Sequence, residues 1–167
     1  EINYAKSKEG INKFVLEDST IMSYPDIEYL ISGISEQNIE FSIYARISEI
    51  LKNTETVEKL RRAGCKSFII GIETLNDDLL KKHHKGLVSS QTRNALDILK
   101  HNDIQVQGCF MLGFPDDTLD NMYKTVEFAI NENLNGYRWH IYQPNFTQMD
   151  KRFFSQTKIT AFDHLKG

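Results

Sequence analysis

The feature that most constrains the fold is an apolar segment that ends in an acid. Residues 68–72 read Phe-Ile-Ile-Gly-Ile, and Glu73 follows them directly. A strand that is apolar along its whole length is covered on both faces, as in a parallel α/β sheet. Ligands of such sheets bind beyond the carboxyl ends of the strands. The segment therefore predicts that Glu73 lies at a polar small-molecule site, together with Lys85 from a basic loop shortly afterwards.

Strands and helices alternate along the chain. Apolar strands are predicted at residues 14–16, 39–45, 68–72, 106–112 and 137–142, with helices between them. This alternation predicts right-handed βαβ units and a parallel sheet. Five strands are too few for a closed eight-stranded barrel, which takes roughly 250 residues. An open or partial barrel fits better, and it needs covering elements from outside this chain.

Turn and cap residues predict where the helices begin and end. Gly10 and Gly64 are predicted helix stops. The predicted helix starts are Pro25, Asn76, Ser89 or Ser90, and Thr118. The last helix is expected to bury an apolar set consisting of Leu119, Met122, Val126, Ala129 and Ile130.

The composition argues against several functional classes. A chain of 167 residues fits one domain, and its net charge of −3 gives no general attraction to nucleic acid or to an anionic membrane. No apolar run approaches the ~20 residues of a membrane helix. The start also lacks the pattern of a secretory signal, so a cytoplasmic protein is expected. Cys65 and Cys109 are predicted to be small core residues rather than a disulfide.

The predicted strand ends bring charged groups to one edge of the sheet. They carry, in chain order, Glu17 and Asp18, then Arg46, then Glu73, then Gly113, Phe114 and Pro115, then Gln143 and Pro144. Acids beside a guanidinium suit a zwitterionic ligand with ammonium, carboxylate and hydroxyl groups. An internal salt bridge or a helix cap explains the acids about equally well. For Arg46 a functional role is favoured, because an unpaired guanidinium is costly to bury at the end of an apolar strand.

Four further residues are assigned structural roles. His83 and His84 are expected to be solvated beside the C-terminal dipole of a helix. Trp139 and His140, on the last strand, are expected to serve packing rather than ligand binding.

The ordered set of motifs resembles one known family. The motifs are residues 14–18 (Phe-Val-Leu-Glu-Asp), 44–46 (Tyr-Ala-Arg), 63–73, 84–86 (His-Lys-Gly) and 108–115 (Gly-Cys-Phe-Met-Leu-Gly-Phe-Pro). Together they resemble the radical SAM superfamily, and most of all its cobalamin-associated and methylthiotransferase-like branch. The resemblance covers residues 1–148. It implies an α/β fold, a partial (β/α)6 TIM-like barrel that binds S-adenosylmethionine across its strand tips. Residues 149–167 are then a tail, expected to be partly ordered.

The resemblance also implies roles for individual residues around that cofactor. Glu17 and Asp18 match the acidic motif that helps to bind the methionine amino group. Arg46 matches an arginine near the ligand carboxylate. Glu73 matches the acid of the family's Gly-Ile-Glu signature, which faces the ribose or the methionyl end.

The fourth strand matches a segment that cradles adenine in the family. Its backbone and apolar side chains run from Gly108 through Leu112 and Gly113 to Pro115. Lys85 is a looser match, on a loop over the site. The sequence departs from the family pattern after Pro115, where an aspartate replaces a glycine, and residues 143–147 match the family's Pro-x-Pro-Gly-Thr only loosely.

The cluster motif of the family, Cys-x-x-x-Cys-x-x-Cys, has no match among these residues. In this numbering it would precede Glu1, so the chain is interpreted as part of a radical SAM enzyme and as inactive alone. For the whole protein the resemblance implies a 4Fe–4S cluster that reductively cleaves S-adenosylmethionine to a 5′-deoxyadenosyl radical. An electron donor such as flavodoxin or ferredoxin is implied as a partner, and cobalamin as an optional cofactor.

Two alternatives to the enzyme interpretation remain open. The chain could be a barrel that lost its cluster and serves as a scaffold or a partner-binding module. It could also be an unrelated TIM-like enzyme that uses Glu73 and Lys85 in acid–base chemistry. As part of a radical SAM barrel, the chain lacks the first strand of the sheet and is expected to have an open edge through which it can self-associate.

Overall fold

A computed structural model describes residues 2–19, 21–83 and 85–143, and every structural statement below refers to these ranges. The predictions made for His84, for residues 144–148 and for the tail at 149–167 lie outside the described residues.

Five parallel strands form a single sheet that curls into a half-barrel, in the order β1-β2-β3-β4-β5. The strands are β1 (Lys13–Leu16), β2 (Glu40–Ala45), β3 (Cys65–Glu73), β4 (Gln105–Leu112) and β5 (Gly136–Ile141). The helices are α1 (Ile2–Glu9), α2 (Ile27–Ser35), α3 (Ile47–Lys52), α4 (Thr54–Arg62), α5 (Asp77–Lys82), α6 (Ser89–His101) and α7 (Leu119–Asn131), with a 3-10 turn at Ile21–Ser23. The prediction of an α/β fold with a partial TIM-like barrel is confirmed.

The apolar segment that ends at Glu73 forms the middle strand of the sheet. Phe68 and Ile70 of β3 pair with Ile43 and Ala45 of β2, and all four side chains are buried in the core. Helices cover this convex face, with buried residues that recur at helical spacing in α2, α3, α4 and α6. Alternate residues point to the opposite, concave face. The sheet therefore has one face packed against helices and one that lines the half-barrel.

Gly64 makes the turn from α4 into β3. Its φ of +108° is a conformation that side chains rarely adopt, and a Cβ there would lie 2.2 Å from the carbonyl oxygen of Ile39. Only glycine satisfies both conditions. The predicted helix stop at this residue is confirmed.

The helix caps predicted at Asn76 and Thr118 are confirmed, whereas the cap predicted at Ser89 or Ser90 is wrong, although α6 begins at Ser89. The side chain of Asn76 accepts hydrogen bonds from the backbone N–H groups of residues 78 and 79, and Thr118 accepts one from Asn121. Neither Ser89 nor Ser90 caps α6. Val88 precedes that helix, and its backbone N–H donates to the side-chain oxygen of Gln91 at 3.0 Å.

The predicted buried side of α7 is partly wrong. Leu119 and Ile130 are 71% and 64% exposed, whereas Thr125, Phe128 and Ala129 are buried. The buried residues follow the i, i+3, i+4 spacing of a helix face. Ile130 comes two residues after Phe128, a turn of about 200°, and therefore points away from the sheet.

The strand β5 is exposed along most of its length. Trp139 stacks on Phe110 with the ring centroids 4.6 Å apart, so the packing role predicted for this tryptophan is confirmed. His140 is exposed, and the same prediction for it is wrong. Within the described ranges, no helix has the length and apolar character needed to cross a membrane.

Candidate functional site

A small cavity lies at the carboxyl ends of β2 and β3 and contains three of the residues predicted to bind a ligand. Its volume is about 210 Å³, and its walls are Ala45, Arg46, Ile47, Ser48, Gly71, Glu73, Lys85 and Leu87. Small-molecule pockets usually measure roughly 300–1,000 Å³. The cavity can therefore hold one polar end of a larger ligand.

Glu73 has an unusual backbone conformation at this site. Its φ of 66° lies in the left-handed region, where non-glycine residues are uncommon. The carboxylate folds back over Gly71, where a Cβ would lie 3.1 Å from Oε1 of Glu73. Lys85 Nζ donates to the same oxygen at 3.2 Å, and these side chains are 21% and 32% exposed for Glu73 and Lys85. Backbone strain of this kind collects at ligand sites.

Arg46 lies immediately after β2, at the start of α3. Its backbone N–H donates to Oε2 of Glu49 at 3.2 Å, and Ser23 donates to the other carboxylate oxygen at 2.5 Å. Glu49 is only 7% exposed, so it fixes the backbone at the strand tip. The guanidinium of Arg46 is exposed, and it joins none of the ion pairs found within the described ranges.

The sequence analysis did not identify Glu49 or the helix that carries it. The spacing of Arg46 and Glu49 is that of a capping box, in which an acid three residues into a helix bonds back to the cap. That signal could have located α3, a helix of six residues.

Glu17 and Asp18 do not line the same cavity as Glu73. Both are exposed at the end of β1, two strands from β3, which is a distance of roughly 10 Å across the sheet. Asp18 lines a different, larger cavity of about 860 Å³, which also includes Ile2, Leu16 and Tyr24. The two acids lie at the correct edge of the sheet, and their role toward a cofactor stays a prediction.

The predicted adenine segment divides between the convex side of the sheet and the tip of β4. A Cβ at Gly108 would lie 2.7 Å from the ring of Phe110 and 2.9 Å from Leu134, so packing on the convex side requires this glycine. Gly113, with a φ of +77° and open space around it, and the exposed Pro115 lie beyond the tip of β4. Leu112 is half-buried at the end of the strand. The structure thus brings three of the four residues to the tip region and leaves Gly108 away from it.

His83 is half-buried among aromatic rings, so the prediction that it is solvated is wrong. Its ring centroid lies 4.6 Å from that of Phe114 and 5.3 Å from that of Tyr142. Phe114, in the loop after β4, is buried, and the end of α5 packs against it. Nε2 of His83 is buried and makes no hydrogen bond within the described ranges.

The concave face carries a polar pair that the sequence analysis missed. Nη1 of Arg138 on β5 donates to the hydroxyl of Tyr44 on β2 at 2.9 Å, and its guanidinium lies 5.9 Å from the tyrosine ring centroid. These residues are 94 positions apart. The signal that could have found them is the alternation of polar residues along β2 and β5.

The two cysteines are free and lie in different surroundings. Cys65 is fully buried, and burial raises the pKa of its thiol to about 12, as expected of a core residue. Cys109 is half-buried on the concave face. Burial raises the pKa of its thiol, the charge of Arg138 lowers this pKa, and the charge of Glu73 raises it. Cys109 is therefore close enough to Arg138 and Glu73 for both charges to act on the pKa of its thiol.

Comparison with known proteins assigns the family. The profile of the radical SAM superfamily matches residues 1–129. The chain belongs to the radical SAM superfamily. A bacteriochlorophyllide d C-12(1)-methyltransferase of Chlorobaculum tepidum is 32% identical over 108 residues, which make up 63% of this chain and 23% of that protein. An anaerobic magnesium-protoporphyrin IX monomethyl ester cyclase of Cereibacter sphaeroides is 23% identical over 172 residues, or 99% of this chain and 28% of that protein.

Solved structures share the fold of this radical SAM chain. The radical S-adenosylmethionine methyltransferase TsrM of Kitasatospora setae, solved with cobalamin and a [4Fe-4S] cluster, superposes with a TM-score of 0.68 at 14% identity. The match covers 83% of this chain and 27% of TsrM. The cobalamin-dependent enzyme OxsB matches with a TM-score of 0.61 at 19% identity, over 76% of this chain and 20% of OxsB. The chain spans less than a third of the length of these curated relatives.

The donor groups at the strand tips fit one of the two cofactors of the family. A carboxylate, a guanidinium and an ammonium around a small cavity suit the hydroxyl, amino and carboxylate groups of S-adenosylmethionine. They do not suit an iron–sulfur cluster, which needs thiolates. The chain has two cysteines, and the described residues contain no group of three or more His, Cys, Asp or Glu that could hold a metal.

Proposed function

We propose that this chain supplies the S-adenosylmethionine-binding half of a radical SAM barrel. The observation that carries the proposal is Glu73, whose strained backbone and folded-back carboxylate lie in one cavity with Arg46 and Lys85. In the superfamily the corresponding strand ends with a Gly-Ile-Glu signature, which this chain has at residues 71–73. A rigid strand tip is a suitable support for a site that must hold its ligand in one orientation.

Each group at the tips has a role in this proposal. The guanidinium of Arg46 binds the methionyl carboxylate through paired hydrogen bonds. Glu73 accepts hydrogen bonds from ribose hydroxyls or from the methionyl ammonium, and Lys85 holds its carboxylate in place when the site is empty. Glu17 and Asp18 approach the amino group from the edge strand. The adenine lies against Leu112, Gly113 and Pro115, and Gly108 supports that strand from behind.

The cofactors supply the bond-breaking chemistry. When bound, S-adenosylmethionine and a 4Fe–4S cluster would supply the radical chemistry of the family, which is hydrogen abstraction from substrate through a 5′-deoxyadenosyl group. The residues of this chain bind and orient the cofactor, and the half-barrel shields it from water. We propose that the three thiolates come from outside these 167 residues and that a flavodoxin or a ferredoxin supplies the electron in the cytoplasm. The proposal includes cobalamin as an optional second cofactor, because TsrM and OxsB bind it.

Self-association is also proposed for the isolated chain. The strand β1 forms one edge of the sheet, and its Val15 is 51% exposed. Unpaired strand edges promote pairing with another chain. Sedimentation of the 167-residue chain is expected to show association that the full-length protein does not, and a purely monomeric chain would contradict this part of the proposal.

The test of the enzymatic proposal starts from the full-length protein. Its N-terminal sequence is expected to contain Cys-x-x-x-Cys-x-x-Cys. After anaerobic reconstitution with iron and sulfide, reduction in the presence of S-adenosylmethionine is expected to release 5′-deoxyadenosine, which chromatography detects. A full-length protein without the three cysteines, which binds a partner and cleaves no S-adenosylmethionine, would support the scaffold alternative instead.

The acid–base alternative rests on the contact of 3.2 Å between Lys85 and Glu73. It requires turnover of a sugar or phosphate ligand by protein that contains no iron, sulfide or S-adenosylmethionine. Turnover under those conditions that is lost in Glu73→Gln and in Lys85→Met would favour this alternative over the radical enzyme.

A further inference from the structure

We propose that Arg138 and Tyr44 bind a carboxylate group of the substrate on the concave face of the half-barrel. The inference rests on the proposed function, because it assumes that the concave face is where substrate meets the cofactor. It goes beyond that function by assigning a chemical class to the substrate and two residues to its recognition.

The strand register places both residues on the concave face. Tyr44 pairs with Ile69, and Gly71 follows Ile69 by two residues on the same face of β3. Gly71 pairs with Cys109, and Cys109 pairs with Arg138. The hydrogen bond between Arg138 on β5 and Tyr44 on β2 therefore spans β3 and β4 on the concave face of the half-barrel.

Arg138 carries a charge that the described protein groups do not neutralise. It joins no ion pair within the described ranges, although ten such pairs involve other residues. Its guanidinium keeps further N–H donors after one of them bonds the Tyr44 hydroxyl. A guanidinium that is held in one orientation and left without a counter-charge is suited to bind a planar anion through two parallel hydrogen bonds.

Arg138 and Tyr44 lie close enough to the proposed cofactor site for one substrate molecule to reach from one to the other. Arg138 is level with Gly71 across the sheet, and Glu73 is two residues further along β3, or about 7 Å. The charge of Arg138 and the charge of Glu73 both act on the Cys109 thiol, which lies between them on the face. A molecule that binds Arg138 through one end would extend toward the strand tips.

The charge balance favours a carboxylate over a phosphate. Of the cations near the tips, Lys85 is already paired with Glu73, and Arg46 lies in the tip cavity assigned to the cofactor. This leaves one guanidinium and one hydroxyl for the substrate anion. One positive charge matches a singly charged carboxylate, whereas a phosphate carries up to about two negative charges at neutral pH.

Cys109 provides a local reporter in the full-length protein. Iodoacetate carries a carboxylate and iodoacetamide is its neutral analogue, so the ratio of their rates at Cys109 measures the anion preference beside Arg138. Peptide mass spectrometry reads this site separately from all other cysteines. The fully buried Cys65 is an internal control that should stay unlabelled while the protein is folded. The measurement requires neither the cluster nor S-adenosylmethionine.

The expected result is a loss of anion preference in Arg138→Met. The ratio of iodoacetate to iodoacetamide rates at Cys109 should fall about fivefold or more, since a charge of opposite sign near the thiol is removed. Dividing the two rates cancels the accompanying change in the thiol pKa. Arg138→Lys should keep most of the ratio, and Tyr44→Phe should lower it by a smaller factor. The matched control is Arg62→Met, which removes an exposed arginine on α4 that is paired with Glu58.

Protection by added anions separates the two ligand chemistries. Propionate, a monocarboxylate, should slow iodoacetamide labelling of Cys109 in the wild-type protein and have no effect in Arg138→Met. An unchanged rate ratio in Arg138→Met would overturn the proposal, and stronger protection by inorganic phosphate than by propionate would overturn the assignment to a carboxylate. Because Arg138 is exposed, its variants should fold. An unlabelled Cys65 in each variant verifies that it has folded. A protein that passes these tests and cleaves no S-adenosylmethionine would refute the proposed function alone.

Discussion

Replacing Gly64 with alanine should destabilise the fold by a large and predictable amount. The φ of +108° strains any residue with a side chain, which costs about 1–3 kcal/mol. The new Cβ would also lie 2.2 Å from the carbonyl oxygen of Ile39, so one of the two backbones must move. That movement endangers the hydrogen bond from the N–H of Phe41 to the oxygen of Gly64, worth about 1 kcal/mol. The sum is about 3 kcal/mol, a substantial share of the 5–15 kcal/mol of a typical domain.

The matched control for this variant is Gly33→Ala in α2. Gly33 has ordinary backbone angles and open space around its Cα, so alanine there should stabilise the helix by roughly 0.5–1 kcal/mol. Urea unfolding followed by circular dichroism measures both changes, with the free energies compared at equal m-values. A loss of less than about 1 kcal/mol in Gly64→Ala would refute the reasoning about this turn.

Three further variants test other parts of the account. Gly108→Ala should destabilise by about 1–3 kcal/mol in the same urea assay, because its Cβ would overpack the convex side; no change would mean that the side is not packed as described. Asn76→Ala should cost about 1 kcal/mol, since two backbone N–H groups at the start of α5 lose their acceptor, and a neutral result would contradict the cap. In the unfolded chain the Cys65 thiol loses its proton near pH 9, whereas burial raises its pKa in the folded protein to about 12. Between pH 9 and pH 12 the free energy of unfolding of the wild type should therefore fall by up to about 1.4 kcal/mol per pH unit. Cys65→Ala should lack this component, and parallel pH curves for the two proteins would refute it.

The parts of the fold that were predicted from sequence are those set by local patterns. The apolar run before Glu73 identified the central strand because burial on both faces leaves no polar position in it. Three helix limits were identified because their signals are local. The side chains of Asn76 and Thr118 accept hydrogen bonds from backbone N–H groups within three residues, and Gly64 adopts a positive φ at a helix end. The alternation of such elements was then sufficient to indicate a parallel half-barrel.

The parts that were missed depend on contacts between distant segments. Arg138 and Tyr44 meet only because the sheet brings β5 and β2 to one concave face. His83 looked like a solvated helix end, and its burial depends on Phe114, which comes from another loop. Gly108 resembled a ligand-binding glycine, yet the side chains of Phe110 and Leu134 account for it. Glu17 and Asp18 lie at the end of β1, beside the strand that carries Arg46, and their role toward a cofactor stays a prediction.

The central claim is that Glu73 belongs to an S-adenosylmethionine site. Anaerobic calorimetry of the reconstituted full-length protein tests it most directly, with Glu73→Ala compared against Glu40→Ala. Glu40 is an equivalent acid at the opposite end of the strands, paired with Lys13 at 3.4 Å and with Lys66 at 3.7 Å. The account predicts that Glu73→Ala raises the Kd for S-adenosylmethionine about tenfold or more, since polar groups of the ligand lose their partner, and that Glu40→Ala leaves it unchanged. Equal affinities in the wild type and in Glu73→Ala would contradict it.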